Sequence, residues 1–331
     1  MGNSVTMAEY SNMFVYSSMA VFAIAFILFT VSMAKRAVVK PVVVAANAKV
    51  PVGATVGAQG DPRPSTSDVP ETIVEAEANN GRRVGNIAFA LTWLATAFLA
   101  AGIVCRGFSA GRPPWGNMYE YSLMIGLVAS LLFLVLSTKT DVRWLGVLIT
   151  GAVLLMLGVA VTVLYTESAP LVPALKSYWL VIHVLSITVA SGAFTVGAMV
   201  TVLYLIRERA ERKAGTAEIE SGFVSKLPQA ARLDTLSYRI YAFTFPLWTF
   251  AVIAGAIWAE AAWGRYWGWD PKETWSFITW VVFAGYLHAR ATAGWSGRKA
   301  AIIALIGFVT IIFNYFFVNM VATGLHSYAG V

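Results

Sequence analysis

The chain has 331 residues, of which 58% are hydrophobic and 12% charged, and its mean hydropathy is +0.68. A soluble domain carries about a quarter of its residues as charges, so this composition excludes a soluble globular enzyme and an intrinsically disordered chain. The single Cys105 excludes an intrachain disulfide framework and any CxxC-type redox or cofactor-attachment motif. What remains is an integral membrane protein.

Crossing roughly 30 Å of hydrocarbon takes about 20 apolar residues in a helix. Runs of that kind lie at about 13–34, 84–105, 118–137, 144–165, 178–206, 240–262, 273–290 and 300–323. Barrel strands would instead alternate over ten-residue segments, so the expected fold is an all-α integral membrane protein with about eight transmembrane helices. The first run has no basic segment before it and is followed by Lys35 and Arg36, which reads as a retained span and not a cleaved signal. Residues 37–82, rich in Ala, Val, Pro and Gly, read as a flexible cytoplasmic linker. Residues 1–83 therefore form one unit, and 84–331 the main transmembrane domain. Residues 207–239 are charged and periodic enough to predict a short amphipathic helix at the membrane surface.

The loops divide the cations unequally: 19 Lys and Arg fall on one side and 5 on the other. The positive-inside rule makes the first side cytoplasmic and both termini external, in a plasma membrane. Topology thus accounts for the net charge of +7 without any nucleic-acid partner.

Six of the twelve tryptophans crowd residues 258–280: Trp258, Trp263, Trp267, Trp269, Trp275 and Trp280. An interfacial belt would spread them over all helix ends. Their concentration in one external loop suits a platform for a large flat ligand. Asp270, Pro271 and Glu273 are spaced as N-cap, N1 and N3 of the next helix. The three histidines are His183, His288 and His326, each in or at the end of a span, where ionisable residues are costly and functional suspects. His183 lies about 9 Å into its helix from the external end, and His326 follows the external exit of the last span. His288 lies about 27 Å beyond Asp270, toward the cytoplasmic side. Taken singly, each is also compatible with a packing histidine. Together, the two outer ones can supply both axial imidazoles of a metal macrocycle, for which haem is the economical fit; His288 then suggests a second haem position completed by another subunit. The segment Arg112-Pro113-Pro114-Trp115-Gly116-Asn117-Met118-Tyr119-Glu120-Tyr121 reads as a turn capped by Asn117 and Glu120, or as a second wall of the same pocket. Arg112, Arg265 and Lys272 are the candidate partners for haem carboxylates.

The stretch Trp263-Gly264-Arg265-Tyr266-Trp267-Gly268-Trp269-Asp270-Pro271-Lys272-Glu273-Thr274-Trp275 resembles the tryptophan-rich WWD signature of the CcsA/ResC family, called CcsB in some bacteria, of System II cytochrome c biogenesis proteins. Asn117 to Glu120 and Gly324 to Tyr328 support the resemblance, which covers about residues 84–331. It implies an outer haem b site over the WWD loop, with Trp263, Trp267, Trp269, Asp270 and Trp275 among the cofactor-binding residues and His183 and His326 on the iron. It implies an inner haem site at His288, whose second ligand comes from a ResB-type membrane partner. The implied role is that of a holocytochrome c synthase subunit, presenting haem for thioether attachment to the CxxCH of an apocytochrome c, with a thioredoxin-like protein keeping thiols reduced. A haem exporter that leaves attachment to others, and an electron-transferring cytochrome b, are the alternatives.

Overall fold

The computed structural model describes residues 2–35, 71–169, 177–215, 219, 222–292 and 294–326. They form eight α-helices: α1 Gly2–Lys35, α2 Glu71–Ala110, α3 Met118–Lys139, α4 Gly146–Thr162, α5 Tyr178–Ala214, α6 Ala230–Trp263, α7 Pro271–Thr292 and α8 Arg298–Met320. Each expected span is a helix, and the chain is a multi-pass, all-α integral membrane protein. Seven helices are long and apolar enough to cross a membrane. The exception is α7, which carries Lys272, Glu273, His288 and Arg290 among its 22 residues.

Two expectations about connecting segments are corrected. Among the described residues of 207–239 no separate surface helix forms: α5 runs on to Ala214 and α6 begins at Ala230, with a 3₁₀ turn at Val224–Lys226. Extending an existing helix adds a hydrogen bond per residue, whereas a new helix must first be nucleated. The i,i+4 pair of Arg207 with Glu211, at 2.7 Å, supports the extension of α5. Likewise the linker read over 37–82 ends early, because α2 starts at Glu71 and its first turns are Glu- and Ala-rich helix formers; the linker's residues 37–70 lie outside the described residues.

Successive helices run in opposite directions. Along α1 and α2 the hydroxyls of Ser11, Ser18 and Ser32 donate to the carbonyls of Gly102, Ala95 and Gly81, at 2.8, 2.8 and 2.7 Å. In a bilayer, small residues let helices approach closely and such hydrogen bonds add about 1 kcal/mol each. Glycine does the same elsewhere: a Cβ at Gly192 of α5 would sit 2.7 Å from Val128 of α3, and one at Gly197 would sit 2.6 Å from the Tyr241 ring of α6. One core joins α1 to α5 and takes in Leu233 and Ile240 of α6 and Tyr315 of α8, and a second, around Phe194, Tyr241, Trp248 and Phe283, joins α5 to α8.

The alternation sorts the connections to two ends. At one, Arg290 of α7 makes a two-pronged pair with Asp234 of α6 at 2.7 and 3.0 Å, and Lys226 donates to the Met33 carbonyl. The other end gathers the α2–α3 turn, the loop after α4, the tryptophan-rich α6–α7 loop and the segment after α8.

Candidate functional site

At this second end a cavity of about 340 Å³ opens between the N-terminal turns of α3, α5 and α7 and the C-terminal turns of α6 and α8. It descends beside Trp248, Phe308 and Ile311 into the bundle, and its volume falls in the range of cofactor pockets.

His183 enters from α5, whose first turn is capped by the Ser177 hydroxyl accepting from the Trp179 N–H at 3.2 Å. Its Nδ1 is 2.8 Å from the Ala251 carbonyl of α6. The ring lies so close to α6 that a Cβ on Gly255 would stand 2.7 Å from it, so glycine is required there by space. Trp258 stacks over the imidazole, with centroids 6.1 Å apart and planes 10° from parallel.

His326 arrives from beyond α8. Its Nδ1 is 3.0 Å from Oδ1 of Asp270, and its ring meets Trp263 and Trp258 edge-on at 4.8 and 5.7 Å. Both histidines thus turn Nδ1 to an oxygen acceptor. An acceptor at Nδ1 fixes the proton there and leaves the Nε2 lone pair for a ligand, the arrangement that orients metal-binding imidazoles.

Asp270 holds three partners. As N-cap of α7 it accepts from the Lys272 N–H at 3.0 Å, and its other oxygen accepts from the Leu325 N–H at 2.7 Å. Burial pushes its carboxyl upward, but the hydrogen bonds from His326, Lys272 and Leu325 outweigh that and hold it at about 2, below its ordinary 3.8. A Cβ at Gly324 would collide with this carboxylate, so the Gly-Leu-His turn closes on Asp270 only with glycine. Glu273 completes the capping box by accepting from the N–H groups of Gly268 and Asp270 at 2.8 and 3.1 Å. Between them Trp269 adopts φ 58°, a left-handed conformation that is strained for a bulky side chain.

The opposite wall comes from Trp115, Gly116, Asn117, Met118 and Tyr121. Asn117 caps α3 by accepting from the Glu120 N–H at 2.9 Å. The buried Glu120 carboxylate accepts from the Gly116 N–H at 2.8 Å and from Arg106 and Arg112 at 3.0 and 2.7 Å. Arg112 is therefore occupied away from the cavity. Arg265 faces Glu273 at 3.5 Å. Lys272 lines the cavity, donating to the Asn314 carbonyl at 3.0 Å and to Oδ1 of Asn319 at 2.8 Å.

Of the sequence-derived candidates, His183, His326, Trp263, Trp267 and Asp270 thus converge on or directly behind the cavity. Trp269 is exposed and leans on Phe277 at the outer side of α7. Trp275 packs on Phe313 in an apolar groove between α7 and α8. His288 is exposed on α7, about 27 Å along it from Asp270. The cluster named Trp258, but its composition gave no sign that this indole, 2% exposed and on the cavity wall, has an Nε1–H without an acceptor.

A sequence model of the family described as cytochrome c assembly protein matches residues 115–326, the stretch that supplies every residue lining the cavity. The cytochrome c biogenesis protein CcsA of Guillardia theta is 39% identical over 263 residues, covering 75% of this chain and 87% of that one. CcsA of Chlamydomonas reinhardtii is 40% identical over 232 residues, covering 68% of this chain and 64% of that protein. CcsA of Microcystis aeruginosa is 37% identical over 278 residues, covering 71% and 85%. Among solved structures, the cytochrome c heme lyase CcmF superposes with a TM-score of 0.59 at 14% identity, over 94% of this chain and 46% of that one, which is a likeness of fold. With a family match over most of its length and relatives at this level of identity, the chain belongs to the cytochrome c assembly proteins and is a membrane protein of cytochrome c biogenesis.

Proposed function

We propose that the cavity holds haem b between His183 and His326 on the external face of the plasma membrane and, with a ResB-type membrane partner, presents it to the CxxCH motif of an apocytochrome c. The observation that carries this reading is the matched anchoring of the two imidazoles, each bound to oxygen through Nδ1 and facing an aromatic cavity. The donor set fits the group: the imidazoles of His183 and His326 would hold the iron, aromatic walls would cover the macrocycle faces, and Lys272 with the unpaired Trp258 indole N–H would meet its polar edge. When bound, haem supplies the vinyl groups to which two cysteine thiols add.

The chain's own contribution is positioning, which alone lowers the barrier by several kcal/mol when two reactants are held aligned. Asp270 and the Ala251 carbonyl fix the two rings, and Trp258 and Trp263 wedge against them. The polar segment 112–120 and the tryptophan loop frame the mouth through which a peptide reaches the site. The excess of cations at the opposite end supports an external mouth. His288 supports an inner site shared with a partner: it is exposed, and Phe277 and Val281 extend the same outward face of α7.

The test is assembly of a CxxCH reporter in a bacterial strain stripped of its own cytochrome c assembly system, supplied with this chain and a ResB-type partner. Covalent haem on the reporter is read by haem staining of a denaturing gel. The reading expects a stained reporter with the native chain and none with His183→Gly or His326→Gly. Staining undiminished in both variants contradicts it, and haem bound by the chain without any stained reporter points to export alone.

A further inference from the structure

Resting on that haem reading, we propose that Lys272 forms a carboxylate-binding subsite in the cavity and takes a propionate of the bound haem. The geometry separates the candidate cations Arg112, Arg265 and Lys272. Arg112 gives two nitrogens to Glu120, at 2.7 and 3.1 Å. Arg265 is paired with Glu273 at 3.5 Å, and its guanidinium lies against Gly268, where a Cβ would overlap it. Lys272 differs on both counts. It lines the cavity, and among the described residues no carboxylate oxygen lies within 4 Å of its ammonium group. Its two acceptors, the Asn314 carbonyl and the Asn319 side chain, are neutral. An ammonium has three N–H donors, so one is left over.

A half-buried ammonium inside a membrane protein is expensive unless an anion or a functional role accounts for it. Asp270 does not fill that place, since its oxygens are taken by His326, Leu325 and the Lys272 backbone N–H. Other polar groups here are incomplete too. The Trp258 Nε1–H is buried without an acceptor and Oδ1 of Asn314 without a donor, while Nη1 of Arg265 and Oε1 of Glu273, 3.5 Å apart, have no hydrogen bond but offset each other's charge. Buried polar groups are almost always hydrogen-bonded, so this cavity is built for a ligand that brings polar atoms as well as flat apolar faces. Lys272 also stands two residues from Asp270, the anchor of His326, which places the cation and the axial imidazole on one rigid helix start. A carboxylate held at Lys272 would help to set which edge of the bound group faces the mouth.

The experiment titrates the detergent-purified full chain, stripped of pigment, with haem and with haem dimethyl ester, following the low-spin Soret band. The ester keeps the iron and the ring and lacks the carboxylates. The native chain is expected to prefer haem by about tenfold or more, the scale of a charge-assisted hydrogen bond. Lys272→Met should lose that preference while binding the ester as the native chain does, and Lys272→Arg should keep it. Undiminished preference in Lys272→Met overturns the assignment. So does an equal loss of affinity for both porphyrins, which would make Lys272 a pin between α7 and α8. Failure of the haem reading looks different: no low-spin band in any variant with either porphyrin removes both.

Discussion

The two ends of the bundle treat polar groups in opposite ways. At the cation-rich end the charges satisfy one another: Arg290 grips Asp234 with two bonds and lies over the Tyr238 ring at 4.7 Å, and Arg207 reaches Glu211 and the Val224 carbonyl. At the cavity end the frame is also well bonded, with Glu120 bound by two arginines and one oxygen of Glu273 by two backbone N–H groups. Yet that end also leaves an indole N–H, an amide oxygen and an ammonium donor incomplete around a cavity. Closed networks stabilise a fold, whereas groups left open in a rigid frame are what a ligand recognises. On the proposed reading, the difference sets the outer-haem cavity apart from the Arg290–Asp234 network at the opposite end.

The largest expected effect comes from Asp270, which belongs to both the frame and the site. Asp270→Ala removes the cap, the Leu325 anchor and the acceptor for His326 together. Loss of such an orienting group typically costs about 10–100-fold in affinity for the bound metal centre, read here as haem affinity in a Soret titration. Asp270→Asn keeps an oxygen for His326 and a good cap, and should recover most of that loss. The sign of the pH effect follows from the depressed carboxyl. Asp270's contribution to the fold is complete above its ordinary 3.8 and fades as pH falls toward 2, so thermal scans between pH 8 and 5 should show no change from this group. A fall in stability already at pH 5 that Asp270→Asn abolishes would break this assignment.

A smaller effect is expected at Gly255. Gly255→Ala sets a methyl 2.7 Å from the His183 ring, an overpacking that costs about 1–3 kcal/mol and should appear mainly as weaker haem binding. Gly158→Ala on α4 meets nothing within 4 Å and is the matched control, with an unchanged titration. The smallest effect on the site should come from the other end. Arg290→Gln loses both bonds to Asp234 and lowers stability by about 2 kcal/mol, read from the thermal midpoint, without shifting haem affinity. A haem defect in Arg290→Gln comparable to that of Gly255→Ala would erase the distinction between the ends.

Local chemistry carried far in this sequence, and long-range contacts did not. The apolar runs placed all eight helices, because a span must satisfy its backbone within itself. The Asp270-Pro271-Glu273 spacing announced the start of α7, since a capping box is complete within four residues. Asn117 and Glu120 did the same for α3, although Glu120 reaches back to Gly116 and engages two arginines, which spacing alone does not reveal. What orients the histidines was invisible. The Ala251 carbonyl is a backbone group 68 residues from His183, and Asp270 is 56 residues from His326. The tryptophan cluster was read as one surface, but the fold divides it: Trp258, Trp263 and Trp267 turn inward, while Trp269 and Trp275 turn to the flank of α7. Residues 207–239 misled because charge periodicity looks alike in a separate surface helix and in the projecting ends of two long spans.

The central claim, that His183 and His326 share one haem, is tested most directly by the reduced-minus-oxidised visible spectrum of the chain purified with its membrane partner. The native protein should show sharp low-spin bands. His183→Gly and His326→Gly should each lose them from the outer site, and added imidazole should restore them by filling the space the ring vacated. Spectra and haem content identical to the native protein in both variants, without imidazole, would contradict the claim and return the tryptophan loop to the role of a membrane-interface belt.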